Sequence, residues 1–357
     1  MNCVILRGKP QFNLHGSRIV NEPVLSLIQS DHPEKWQEIL ADLITEPKAL
    51  AGILQLDPAE CPPGLAAADA FPMKVPRPFV QRMEVGNWQD PLLRQVWPSM
   101  DEEVPDPSLH ADPLQEAQFN VQPGLLHKYR GRVLLTAAPH CAIHCRYCFR
   151  RHFDYQANTP GRARWRETLD YIASDISIEE AILSGGDPLA ASDSYLSWLL
   201  QELDNIPHIK TIRIHTRLPV VIPQRVDSGL LAVLGKLNKR CVIVLHCNHS
   251  SEIDQAVAQA LSALREQGHT LLNQAVVLKG VNDDSETLAS LSRALFEHGV
   301  LPYYLHIPDR VSGTGHFRVS ETKARELIHQ MQSRLPGYLV PTLVREDPGE
   351  PNKTRLG

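Results

Sequence analysis

A chain of 357 residues can bury a sizeable core, as one large α/β unit with a smaller one attached. Lys plus Arg number 36 against 41 Asp plus Glu, a net charge of −5, which excludes the basic footprint of a nucleic-acid or anionic-membrane binder. Seven cysteines, three of them clustered, argue against a disulfide framework; with no span-length apolar run and no signal-peptide core in Met1–Arg7, a cytoplasmic protein is expected.

Residues 1–30 show no clear period and read as an N-terminal extension. From Pro33 to Leu56, apolar residues recur at helical spacing, and Pro47 should divide them into two helices. Proline remains frequent to Pro123, so residues 31–125 are expected to form short helices and extended connections around a core. From 126 to 335 the pattern changes to β-branched runs alternating with amphipathic helices. Strands are expected at 133–137, 180–184, 211–215, 241–246, 271–278, 301–306 and 338–344. Helices are expected at 192–204, 252–267, 284–298 and 320–335. Residues 336–357 complete the chain as a strand and a Gly/Pro-rich loop. This alternation predicts an α/β fold with a parallel sheet. Polar residues end nearly every strand, which favours a ring of strands converging on one site over an open doubly wound sheet. The expected architecture is an incomplete (β/α)6-type TIM barrel.

The first strand runs into Cys141-Ala-Ile-His-Cys145-Arg-Tyr-Cys148. Three thiolates at this spacing can ligate a four-iron cluster and leave one iron open to a small molecule. The competing reading is zinc, with His140, His144 or His152 as fourth ligand, but no second C-x2-C pair exists. Covalent haem is excluded, because Phe149 stands where a histidine is required. Cys3, Cys61, Cys241 and Cys247 read as ordinary free thiols. After the second strand, Gly185-Gly186-Asp187 offers backbone that a ligand can approach closely, beside a carboxylate.

The cysteine spacing, with Tyr147 beside the last cysteine, resembles the signature of radical S-adenosylmethionine enzymes. The Gly-Gly-Asp loop resembles their "GGE" motif, with Asp where many members have Glu. Together with Leu183–Leu189, Asn273-Gln274, Pro302-Tyr303-Tyr304 and Gly315-His316-Phe317, these segments resemble the lysine 2,3-aminomutase family from about residue 70 onward. Pro123-Gly-Leu-Leu-His-Lys-Tyr129 is most similar to its bacterial branch that serves elongation factor P.

The resemblance implies the following assignments. Cys141, Cys145 and Cys148 hold a [4Fe–4S] cluster. Gly185, Gly186, Asp187, His246 and Gln274 line the S-adenosylmethionine site. Pyridoxal 5′-phosphate is held by Lys353 as a Schiff base, with Arg132 at its phosphate and Tyr129 close by. Read without the family, Lys353 would be a solvated lysine. Arg150 takes the substrate carboxylate, and Asp309 and Glu346 take a distal ammonium; longer members have Asp in place of Glu346. The implied partners are L-lysine, an external electron donor, elongation factor P and the ligase-like enzyme that attaches β-lysine to it. No nucleic acid or membrane is implied, and homo-oligomerisation is left open. Longer members bind zinc through a C-terminal extension; Asp283-Asp284 stands where an upstream zinc cysteine would be, so no zinc is expected. Two other readings stay open from sequence: a radical enzyme acting on another amino acid or without pyridoxal phosphate, and a metal-stabilised protein that binds elongation factor P.

Overall fold

The computed structural model describes residues 35–357 apart from Pro58, Cys61, Gln156, Thr159 and Pro160. The extension 1–30, Cys3 and Cys61 therefore lie outside the described residues. Four short helices come first: α1 (Trp36–Ala41), α2 (Pro47–Ile53), α3 (Leu65–Ala70) and α4 (Arg77–Val80). Pro47 divides the first apolar stretch by starting α2, where its missing N–H has no helical partner to lose.

Ten strands then form one sheet in strict sequence order. They are β1 (Asn120–Gln122), β2 (Leu125–Tyr129), β3 (Arg132–Ala138), β4 (Glu180–Gly185), β5 (Thr211–Thr216), β6 (Arg240–Leu245), β7 (Thr270–Val276), β8 (Leu301–His306), β9 (Thr342–Arg345) and β10 (Thr354–Arg355). Neighbours from β3 to β9 are parallel, whereas β1/β2, β2/β3 and β9/β10 are antiparallel. The crossovers carry α5 (Arg162–Ser174), α6 (Asp193–Asp204), α7 (Leu218–Val221), α8 (Ser228–Leu234), α9 (Gln255–Glu266), α10 (Ser285–Glu297) and α11 (Glu321–Gln332). A doubly wound sheet would reverse its strand order at a switch point; this sheet never does, so it is the wall of an incomplete barrel. The last expected strand starts late, at Thr342. Gly337–Leu339 forms a 3-10 turn instead, and Pro341 has no N–H for a ladder.

Local chemistry explains the helix starts. Ser192, Asp227, Asp254, Asp284 and Ser320 each accept a hydrogen bond from a first-turn backbone N–H. The strands alternate: in β5, Ile212 and Ile214 are buried in the core while Arg213 and His215 line the barrel interior. One core cluster runs from Trp36 and Leu50 in the N-terminal helices through Ile212 and Ile243 to Leu327 and Met331, so those helices share the barrel's core. Among the described residues no helix is long and apolar enough to cross a membrane.

Candidate active site

A cavity of about 610 Å³ opens at the carboxyl ends of the parallel strands. All of the site residues read from sequence line it: Tyr129, Arg132, Cys141, Cys145, Cys148, Arg150, Gly185, Gly186, Asp187, His246, Gln274, Asp309, Glu346 and Lys353.

The cysteine loop occupies one end. All three thiols are free, as are Cys241 and Cys247 in the core. Burial pushes the Cys148 thiol up to about 12 and the Cys141 thiol well above its ordinary value, so thiolates here need a cationic partner. Arg217 Nη1 donates to Cys145 Sγ at 2.7 Å. Among the described residues no three His, Cys, Asp or Glu side chains converge closely enough to hold one metal ion. Three free thiols on one loop suit a cluster, in which each binds a different iron. Of the histidines weighed as zinc ligands, His144 Nδ1 bonds the Pro72 carbonyl at 2.6 Å and His152 Nε2 the Ser312 carbonyl at 3.1 Å.

The N-terminal region clamps this loop. Arg146, fully buried, donates to both carboxylate oxygens of Glu102 at 2.8 and 2.5 Å, and Arg151 Nη2 donates to the same carboxylate at 2.7 Å. Backbone bonds from His144 N to Lys74 O and from Arg146 N to Gln95 O fix the loop's course.

The Gly-Gly-Asp loop lies against the cysteine loop and also borders the cavity. Gly185 has φ +106°, and a Cβ on Gly186 would come within 2.3 Å of the His140 carbonyl oxygen. The glycines make room for the chain's own cysteine loop, to which Gly186 N and Asp187 N donate at the Ala138 and His140 carbonyls. Both Asp187 oxygens are already engaged. They accept from Thr216 Oγ1 and Arg217 N at 2.7 Å, and from Leu189 N and Leu218 N at 3.0 Å. Burial raises this carboxyl's pKa although these bonds oppose it. Asp187 ties the ends of β4 and β5 together. Deeper in the cavity, burial pushes His246 down to about 4, so the ring is neutral at pH 7. The Gln274 side-chain amide lies 2.7 Å from His246 Nε2 and pairs with that ring nitrogen.

The other end is built from β2, β8, β9 and β10. The short β10 pairs with β9, Thr354 opposite Arg345, and this hairpin returns Lys353 into the cavity with a side chain 22% exposed. Lys353 Nζ donates to Glu346, whose other oxygen accepts from Lys128 Nζ at 2.9 Å and Tyr129 OH at 3.0 Å. Burial alone would raise the Glu346 carboxyl; the two ammonium groups more than reverse this and hold it well below its usual range. Asp309 makes no direct ion pair among the described residues, and Lys353 and Lys128 oppose its burial only from a distance. Burial, reinforced by Glu346, pushes it up to about 7. The Arg132 guanidinium lies 4.4 Å from the centre of the Tyr129 ring.

Lys128, Arg213, His215, Tyr303, His306 and Arg355 complete this wall. His215 and His306 belong to the polar residues expected at strand ends, whereas Arg213 and Arg355 were not singled out; Arg213 shares the inward face of β5 with His215. Glu116, which gave no signal, accepts with its carboxylate from Arg150 Nε at 2.8 Å and Nη2 at 2.6 Å.

The donor set fits the implied groups. Three free thiols border a buried guanidinium. At the opposite end a lysine amine stands among Arg132, Arg213 and Arg355, cations that suit a phosphate. His215 Nε2 and His306 Nε2 are buried there with no hydrogen-bond partner in the protein, as expected of atoms that face a polar ligand.

No family model matches the chain. L-lysine 2,3-aminomutase of Escherichia coli is 49% identical over 324 residues, covering 90% of this chain and 94% of that protein. The protein of the same name from Haemophilus influenzae is 48% identical over 321 residues, covering 90% and 95%. Among solved structures, Streptococcus suis SuiB bound to S-adenosylmethionine is a distant likeness, with a TM-score of 0.48 and 15% identity over 65% of this chain and 54% of that one. Sharing nearly half its residues with proteins matched over almost their whole length, and carrying their chemistry in one cavity, this chain belongs to the L-lysine 2,3-aminomutase family of radical S-adenosylmethionine isomerases, which work with a [4Fe–4S] cluster and pyridoxal phosphate.

Proposed function

We propose that this chain moves the α-amino group of L-lysine to the β-carbon, giving (R)-β-lysine. The observation that supports this most directly is the charge set: one cavity presents the Arg150 guanidinium and two acids, Asp309 and Glu346, together with the Lys353 amine. An amino acid with a distal ammonium suits that set, because each buried charge then meets an opposite one. When bound, the cluster and S-adenosylmethionine supply one-electron chemistry that removes and returns a substrate hydrogen, and pyridoxal phosphate supplies an aldehyde and a π-system for the migrating nitrogen.

The chain's own residues do the rest. Arg150 orients the substrate carboxylate near the cysteines. Asp309 and Glu346 take the ε-ammonium. Lys353 holds pyridoxal phosphate, with Arg132 at the phosphate and Tyr129 at the ring. Gly185, Gly186, His246 and Gln274 line the S-adenosylmethionine seat, and Asp187 keeps that loop in register. Cavity walls of the barrel keep water from the reacting carbons. The Pro123-to-Tyr129 stretch supports a supply role for the product, in modification of elongation factor P through a separate ligase.

The test is anaerobic reconstitution with iron, sulfide, both organic cofactors and a reductant, followed by chiral, mass-resolved chromatography of products from L-lysine. (R)-β-lysine that vanishes in Cys145→Ala and Lys353→Ala proteins is the expected result. S-adenosylmethionine cleavage without β-lysine would sink the lysine reading.

A further inference from the structure

Arg150 is not a free guanidinium. Its Nε and Nη2 make a two-pronged pair with Glu116 at 2.8 and 2.6 Å, and Nη1 donates to Ser184 Oγ at 3.2 Å. Paired donors on one edge of a guanidinium are the geometry that best holds a carboxylate. The chain thus supplies from within the group that the proposed substrate would bring.

Glu116 is presented on a separate piece of structure. It opens a 3-10 turn, Glu116–Phe119, entered through Gln115 in the left-handed region at φ 51°. That conformation is strained for a non-glycine residue, so the contacts of the turn hold it there. One such contact is Asp112, which accepts from Glu116 N at 3.1 Å. Gln115, Ala117 and Gln118 are exposed, whereas Glu116 and Phe119 line the cavity. Glu116 also lies close enough to Asp309 to help push that carboxyl's pKa up, so the two acids share one field.

We infer that Glu116 is a built-in competitor for Arg150 and determines which amino acids the cavity accepts. A substrate carboxylate entering at Arg150 meets this resident anion, with Asp309 in the same cavity and Glu346 already paired with Lys128 and Lys353. A ligand that brings only a carboxylate and a neutral tail adds to the negative charge there. A ligand that also brings a distal ammonium relieves it. Glu116 therefore penalises short or neutral-tailed amino acids more than lysine, a selectivity obtained by repulsion rather than by contact.

This inference rests on Arg150 as the carboxylate site of the proposed reaction. It is tested by calorimetric titration of protein carrying cluster and pyridoxal phosphate but no S-adenosylmethionine, so that no turnover occurs. L-lysine is compared with L-norleucine, which lacks the ε-ammonium. Glu116→Gln should bind norleucine about tenfold or more tighter and lysine by a smaller factor, narrowing the difference between them. Glu116→Asp, which keeps the charge but shortens the reach, should move both affinities in the same direction by less; it carries the test if the Gln variant misfolds. Unchanged affinities in both variants, or weaker binding of both ligands, overturn the inference. If wild-type protein makes β-lysine while Glu116→Gln changes nothing, the competitor is wrong and the aminomutase reading stands. If Glu116→Gln tightens norleucine but no β-lysine forms, the competitor stands and the lysine reading falls.

Discussion

The two ends of the cavity are held together differently. At the cysteine end, backbone hydrogen bonds fix the loop and one carboxylate, Glu102, sits between two buried arginines with side chains 1% exposed or less for Glu102 and Arg146. At the Lys353 end, the β9/β10 ladder returns the chain to the cavity, and the charges are then set by side chains, with Glu346 gathering Lys128, Tyr129 and Lys353. A cluster keeps the same three ligands throughout its life, and a fixed loop suits it. A lysine that has to give up its nitrogen to a cofactor, beside acids that have to receive a substrate ammonium, needs charge pairs that can exchange. Placement is set by the main chain at one end and completed by exchangeable charges at the other.

Three changes would break or sharpen this contrast. The largest effect is expected from Glu102→Gln. It leaves Arg146 and Arg151 buried without their carboxylate, a loss of about 3–5 kcal/mol. Urea unfolding should show it, along with low iron content after reconstitution; a midpoint like wild type would mean the clamp does not hold the loop. Glu346→Gln, at the other end, should cost only about 1 kcal/mol in the same unfolding assay, because that pair faces the cavity. Its effect should appear in substrate use instead: loss of one partner for an ammonium raises the KM for lysine by about tenfold or more. A stability loss equal to that of Glu102→Gln would erase the distinction between the ends.

The smallest effect is a matter of pH. Asp309, pushed up to about 7, binds its proton more tightly in the folded chain than in the unfolded one. The sign follows from linkage: stability from this group is complete at low pH and declines as pH rises through about 7. Asp309→Asn should flatten that decline in urea midpoints taken between about pH 5 and pH 8. Lysine binding calls for the charged carboxylate, so wild-type affinity should fall as pH drops below about 7. A pH-independent lysine affinity would remove Asp309 from the ammonium site.

Legibility in the sequence followed the same division. The cysteine end was readable because its ligands fall within one loop after one strand, and spacing alone restricts what they can bind. The barrel was readable because short β-branched runs alternate with amphipathic helices along the chain. Lys353 was readable only by resemblance. Its position depends on β10, a strand of two residues, too short for any periodic signal. Glu116 lies in a polar stretch with no period at all, and nothing local pairs it with a residue 34 positions away. The need for closeness at the glycines of 185 and 186 was visible in the sequence, but their approach to His140 was not.

The seam between β2 and Glu346 has a consequence for how the molecule is made. Every strand pair joins neighbours in sequence, so the sheet can grow one unit at a time from its N-terminal edge. The contacts of Lys128 and Tyr129 with Glu346 instead close loops of 218 and 217 residues, and the entropy lost in joining chain ends rises with loop length. They become favourable only once the intervening units are in place to bring the two edges together. Both ends of the cavity are therefore readouts of completed folding, since the cysteine loop too draws on late residues, through Arg217 on Cys145 and the Ser312 carbonyl on His152.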